Sequence, residues 1–271
     1  MLTEERFNII LDLLEREKSV SASALIEATQ SSASTIRRDL SQLERLGKLQ
    51  RVHGGAMYKE NLHTAPEDKV ERRRGQNAPQ KRAIGKKAAQ LIRPGDFVYI
   101  DAGTTTEAIL SEIQTDQVRF VTNAITHAKT LAQRGLKVSL IGGEFKDVTE
   151  AIVGEEATEF IHRYNFTKGF FGTNGIDEKG TLNTPDSKEA AIKKAAMAQC
   201  EHCYIVADPS KFSVRTIINF GHLKGNTLIT CPPINSKNLP ADCRIVYANE
   251  EEVKEDLVDK KSKKDEIEEK E

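Results

Sequence analysis

The chain has 271 residues, 38% of them hydrophobic and 30% charged, with a formal net charge of −1. No apolar run approaches the roughly 20 residues of a membrane span, and the opening MLTEERFNII is acidic and amphipathic, unlike a secretory leader. That length and composition fit a two-domain globular protein of the cytoplasm, and the near-zero charge argues at first against a nucleic-acid partner.

Phe7, Ile10, Leu11 and Leu14 recur at helical spacing and predict a first helix that breaks near EKSVSAS. Ser21 suits an N-cap, and Leu25, Ile26 and Ala28 give a short second helix its apolar face. TQSS then turns the chain and Ser32 offers another cap. Ile36, Leu40, Leu43 and Leu46 form a stripe at intervals of four, three and three before Gly47 ends the third helix. With that stripe turned inward, Ser34, Thr35, Arg37 and Arg38 lie on or beside the opposite face, in the first two turns.

Charge is local here. Ser32 to Tyr58 holds Arg37, Arg38, Arg45, Lys48 and Arg51 against only Asp39 and Glu44. KLQRVHGGA reads as a small hairpin turning at Gly54 and Gly55, which lays Arg51 and His53 against a sugar-phosphate backbone. Three helices and a wing predict a winged helix-turn-helix over residues 1–58, with the start of its third helix in a major groove. Asp39 is expected to pair with Arg37 or Arg38 and to be structural.

The run STIRRDLSQLERLGKLQRVHGGA resembles the N-terminal signature of the DeoR family of bacterial transcriptional regulators, in its TIRRDL helix and its RVHGGA wing. The resemblance implies DNA contacts for Thr35, Arg37, Arg38, Arg51 and His53, and core positions for Ile36 and Leu40.

Residues 59–80, polar and interrupted by Pro66 and Pro79, read as a partly helical linker. From Lys81 to residue 248 amphipathic helices alternate with short apolar strands. Helices are predicted at 81–92, 105–113, 124–134, 154–161 and 187–200, and strands at 97–100, 118–121, 137–141, 169–171, 204–207, 227–230 and 244–248. Such alternation predicts a mostly parallel sheet covered on both faces, with ligands bound outside the carboxyl ends of its strands. Those ends carry DAGTTT, TNA, GGE, GTNG and DPSK.

In DAGTTT, Gly103 lets the backbone approach a ligand while Thr104, Thr105 and Thr106 offer hydroxyls and amides to a phosphate. There is no Walker lysine, and no GxGxxG follows a strand, which argues against nucleotide hydrolysis and dinucleotide binding. Asp101, Asn123, Glu144 and Asn174 suit sugar hydroxyls, with Gly142 and Gly143 beside them in GGE. Lys211, and Lys81 if its helix folds back over the site, supply positive charge. None of the six histidines, among them His127, His162, His202 and His222, falls in a strand-end turn. Cys200 and Cys203 form one close pair, CEHC, but Cys231 and Cys243 are isolated and give no second ligand pair, so all four read as packing thiols. The charged tail, residues 249–271, reads as a solvated extension.

This half resembles the sensor domain of the same family, whose fold is that of ribose-5-phosphate isomerase and glucosamine-6-phosphate deaminase. DAGTTT, TNA, GTNGID, TPDSKEA and ADPSKF carry the resemblance, which implies effector contacts for Asp101, Gly103, Thr104, Thr105, Asp208 and Lys211. GTNGIDEKGTLNTPDSKEA is most similar to the fructose-operon repressor branch and implies fructose 1-phosphate as inducer, while RTIINFGHL, with Arg215, departs from that branch. The expected protein is thus an α/β repressor, a winged helix-turn-helix joined to a mostly parallel sensor domain at 81–248. It would bind double-stranded operator DNA as a homodimer or homotetramer, respond to a phosphorylated sugar, and use no cofactor or metal. The alternatives are a sugar-phosphate isomerase or deaminase with an accessory N-terminal domain, and a second domain that only dimerises.

Overall fold

Apolar residues three and four apart bury one face of each of the first three helices, α1 (Thr3–Glu17), α2 (Ala22–Thr29) and α3 (Ala33–Arg45). The computed structural model describes residues 3–17, 19–45, 49–52, 54–58, 69–234 and 239–248. It divides into two units, Met1–Ala65 and Pro66–Glu271, and these helices belong to the first. Both expected caps form: Ala24 N–H donates to Ser21 Oγ and Thr35 N–H to Ser32 Oγ, each at 3.2 Å. Gln30, at φ 48°, ends α2 in the left-handed region and turns the chain toward α3. Ile36, Leu40 and Leu43 close a core with Ile10, Leu14, Val20 and Leu25. Leu46 and Gly47 lie outside the described residues, as does His53.

The wing forms as a hairpin of β2 (Leu49–Val52) and β3 (Gly55–Tyr58). A third strand that the sequence did not signal, β1 (Ser19–Ser21), pairs with the other edge of β3. A Cβ on Gly55 would stand 2.3 Å from the Val20 carbonyl oxygen, so this close strand crossing requires glycine. One expectation is corrected. Asp39 pairs not with Arg37 or Arg38 but with Arg6, whose Nε reaches Oδ2 at 2.6 Å and whose Nη2 reaches Oδ1 at 3.2 Å. Asp39 lies on the buried side of α3, where α1 supplies the nearest cation.

In the second unit, α4 (Val70–Gly75) and the start of α5 (Ala78–Ala89) lie in the segment expected to be a partly helical linker. Few apolar residues announce α4, because only Val70 is buried there and polar contacts do the holding. Arg74 Nε donates to Glu107 at 2.9 Å and its Nη2 to Glu150 at 3.1 Å. The chain then runs through β4 (Phe97–Ile100), α6 (Thr104–Leu110), β5 (Arg119–Thr122), α7 (Ile125–Gln133), β6 (Lys137–Leu140), β7 (Glu144–Lys146), β8 (Ala151–Val153) and α8 (Glu155–Ile161). It continues with β9 (Phe166–Gly172), β10 (Gly175–Ile176), β11 (Thr181–Thr184), α9 (Ser187–Ala198), β12 (Cys200–Val206), β13 (Ile218–His222), β14 (Thr227–Thr230) and β15 (Arg244–Tyr247).

Seven strands form one parallel sheet in the order β15-β14-β12-β9-β4-β5-β6. Successive residues face opposite ways along each strand. Val98, Ile100, Phe120 and Phe170 therefore pack with Ile84 of α5 and Ile109 of α6 on one face, while Tyr99, Val121, Phe171 and Ile205 pack with Ile161 of α8 and Ile192 of α9 on the other. Each fully buried Phe or Ile contributes about 1.5–3 kcal/mol over leaving it exposed. From β4 the chain builds outward through β5 and β6, then crosses back to β9, so the strand order reverses between β4 and β9. Two antiparallel additions, β7-β8 and β10-β11-β13, were not predicted. Strands of two to five residues are too short to show a period. No helix among the described residues is long and apolar enough to cross a membrane.

Candidate functional site

The first unit presents Ser34, Arg37 and Arg38 as exposed residues near the start of α3, with Thr35 half-buried beside them. Ser32 Oγ shares hydrogen bonds with Ser34 Oγ and Thr35 Oγ1, both at 2.9 Å. Arg51 on β2 is exposed too, and is braced against α3: its Nη1 donates to Ser41 Oγ at 2.8 Å and its N–H to Glu44 Oε1 at 2.9 Å. Helix start and wing thus carry arginines over a buried apolar stripe, the distribution a groove-reading helix needs.

In the second unit a cleft opens at the reversal of strand order, where the loops after β4 and β9 diverge. The first loop contributes Gly103, Thr104 and Thr105, and the second Thr173 and Asn174. Arg73 and Gln76 from the α4 region, Lys81 of α5, Glu189 and Lys193 of α9, and Lys211 complete the charged and polar wall. Thr104 and Thr105 are only 6% and 8% exposed, yet both line the cleft rather than vanish into the core.

Lys81 donates to Thr104 Oγ1 at 2.9 Å and to the Arg73 carbonyl, so α5 does fold over the site. Burial pushes its pKa down to about 8, with Lys211 and Arg73 adding to the depression and Asp208 opposing it. Lys193 donates to Asp101 Oδ2 and, at 3.2 Å, to the Gly172 carbonyl. Burial raises the Asp101 carboxyl, opposed by the Lys193 ammonium and the Gly172 N–H. Glu189 accepts from Thr149 Oγ1 at 2.7 Å and from Lys146 at 3.1 Å. Behind Gly103, burial pushes His127 down to about 4, leaving a neutral ring near pH 7.

Of the expected effector residues, Lys81, Gly103, Thr104, Thr105, Asn174 and Lys211 line the cleft, and Asp101 sits behind Lys193. Thr106 turns its hydroxyl back to the Asp101 and Gly103 carbonyls. Asn123 accepts from Ala102 N–H at 2.8 Å and from the Tyr99 hydroxyl at 3.1 Å, fixing the turn from inside. Asp208 accepts from Asn77 Nδ2 at 2.8 Å and so fixes the start of the helix that carries Lys81. Gly142, Gly143 and Glu144 are not among the lining residues; they follow β6 at the sheet edge, where exposed Glu144 pairs with Lys188 at 2.5 Å. Lys193, Glu189 and Arg73 were not anticipated. For Lys193 the signal was available: a lysine spaced among Ala190, Ile192 and Ala196 on the buried side of a helix needs a partner.

The model of the DeoR-like helix-turn-helix domain matches residues 6–61, and that of the DeoR C terminal sensor domain matches residues 76–230. The chain is 40% identical over 231 residues to the uncharacterized HTH-type transcriptional regulator FruR of Bacillus subtilis (strain 168), covering 85% of this chain and 91% of that protein. It is 30% identical over 232 residues to the lactose phosphotransferase system repressor of Streptococcus mutans serotype c, covering 84% and 92%. Among solved structures, ribose 5-phosphate isomerase A from Methanocaldococcus jannaschii matches with a TM-score of 0.39 and 14% identity, over 51% of this chain and 55% of that one.

Proposed function

The chain belongs to the DeoR family of transcriptional regulators, and from that premise we propose that it represses a fructose-utilisation operon and leaves its operator when fructose 1-phosphate fills the cleft. The observation that carries this is the convergence of Arg73, Lys81 and Lys211 with the Thr104 and Thr105 hydroxyls on one concave site. Cations and hydroxyl donors so gathered suit a phosphate ester. The names of two relatives, a FruR regulator and a lactose phosphotransferase system repressor, support a sugar signal. Because these relatives are regulators, the isomerase or deaminase alternative is set aside.

Ser34, Thr35, Arg37 and Arg38 are assigned to the major groove, and Arg51 and His53 to the backbone. Symmetric operators call for at least a dimer. The effector site comprises Lys81, Gly103, Thr104, Thr105, Asn174 and Lys211, with Asp101, Thr106, Asn123 and Asp208 shaping it from behind. Coupling between two such sites is typically about 1–3 kcal/mol, or roughly 5- to 150-fold in operator affinity.

Fluorescence anisotropy with labelled operator, titrated with and without fructose 1-phosphate, tests the proposal. Weakening within that range is expected. Indifference to every phosphosugar would favour a second domain that only dimerises.

A further inference from the structure

The lining charges of the cleft fall into two groups. Around Lys81 gather Arg73 and Lys211, three cations against Asp208, whose Oδ1 accepts from the neutral Asn77 and Ser210, while Glu107 is paired with Arg74. Around Lys193 the pattern is different. Its ammonium is paired with Asp101, a carboxylate 1% exposed, and Glu189 lines the same end, held by Lys146, which also reaches Asp186 at 3.1 Å. One end offers cations to the cleft. The other is net negative, two ammonium groups among three carboxylates, Asp101, Asp186 and Glu189.

Two of the three Lys193 protons are taken, one by Asp101 and one by the Gly172 carbonyl, and the Phe220 ring lies 5.5 Å from Nζ. The third proton belongs to a residue that lines the cleft. A buried donor whose charge is already balanced attracts a neutral oxygen, a hydroxyl or carbonyl, and gains little from an anion.

Granting the phosphosugar site proposed above, we propose that Lys193 is the specificity-determining residue that reads the uncharged, oxygen-bearing end of the ligand. The carboxylates around it make the cleft selective for sugars with one phosphate over sugars with two. A monophosphate sets its anion among Arg73, Lys81 and Lys211 and its hydroxyls against Lys193 and Asn174. A bisphosphate must force its second anion toward Asp101 and Glu189, where like charges meet in a poorly solvated wall.

Isothermal titration of the full-length protein with fructose 1-phosphate, fructose 6-phosphate, fructose 1,6-bisphosphate and inorganic phosphate tests this. In the wild type, the better monophosphate is expected to bind at least roughly tenfold more tightly than both the bisphosphate and inorganic phosphate. In the double variant Asp101→Asn with Lys193→Met, which removes the pair without leaving a lone charge, the gap between monophosphate and inorganic phosphate should close to within about threefold. In Asp101→Asn alone, which frees the Lys193 charge, the bisphosphate should gain on the monophosphate. Circular dichroism and operator binding report whether each variant is folded, and Glu189→Gln gives a second route to the same gain if Asp101→Asn is not. Equal wild-type affinity for mono- and bisphosphate, or a sugar preference that survives loss of Lys193, overturns the role of Lys193 and leaves the phosphosugar site standing. Absence of binding by every phosphate compound overturns both.

Discussion

Lys81 donates to the Thr104 hydroxyl at 2.9 Å, tying α5 to the first residue of α6 across 23 positions of sequence. The same ammonium holds the Arg73 carbonyl. The group proposed above to hold a phosphate is thereby kept in place by neutral oxygens, and its charge is the property most sensitive to conditions.

Because burial lowers Lys81 to about 8, effector affinity should fall as pH rises above 8 and the free protein loses that charge, by up to about tenfold per pH unit. Phosphate esters are already largely dianionic there, so the lysine and not the ligand sets the trend. Lys81→Arg, which stays charged, should flatten the profile. Stability carries the opposite sign. A lysine at about 8 when folded and 10.5 when unfolded binds fewer protons in the native state, so its contribution to stability rises with pH between those values. Calorimetric titrations from pH 7 to 9.5 check the first statement, and an affinity that stays level would remove Lys81 from the phosphate.

Gly85 stands one helical turn beyond Lys81, and a Cβ there would lie 2.4 Å from the Ala108 carbonyl oxygen. No flexible side-chain end is available to yield, so α5 and α6 must separate. Gly85→Ala is expected to cost about 1–3 kcal/mol by overpacking and to weaken effector binding by drawing Lys81 away from Thr104. Chemical denaturation and ligand titration of the same sample report both effects. Lost stability with intact effector affinity would show that the Lys81–Thr104 bond does not hold the site.

The sequence made the strand-end loops legible because each follows a short apolar run, and the helix stripe Ile36, Leu40, Leu43 because its period is unbroken. It could not say which strand ends meet. GGE follows β6 at the sheet edge while DAGTTT and GTNG follow the adjacent β4 and β9, and only strand order separates the two cases. For Lys193 the helix pattern showed that a partner was needed but not which one. That partner is Asp101, 92 positions away in sequence, and no local pattern records a long-range ion pair. The partly helical linker gave no bounds for α4 because polar contacts from Arg74 hold it where an apolar face would have been visible.

Asp39 joins α3 to α1 through Arg6, with the carboxylate 2% exposed. Asp39→Asn removes the charge but keeps the shape, and leaves the guanidinium facing an amide. The melting temperature of the first unit should drop by roughly 4–8 °C, followed by near-ultraviolet circular dichroism or differential scanning fluorimetry. Operator affinity well below that transition should change little, since the arginines proposed to face the groove do not depend on Asp39. A large loss of affinity with an unchanged melting temperature would mean that Asp39 does orient Arg37 or Arg38 on DNA.

Arg38 and Arg51 separate two ways of holding DNA. Arg38 is an exposed residue near the start of α3, whereas Arg51 reaches across from the wing to Ser41. If Arg38 reads a base edge, Arg38→Ala should cost roughly 1–3 kcal/mol on the operator and much less on random duplex. Arg51→Ala should weaken both duplexes alike and lower the slope of log affinity against log salt by about one. Anisotropy titrations over a series of salt concentrations, on operator and scrambled sequence, distinguish the two. An equal loss from Arg38→Ala on both duplexes would recast it as a phosphate contact, and base reading would then fall to Ser34, Thr35 and Arg37.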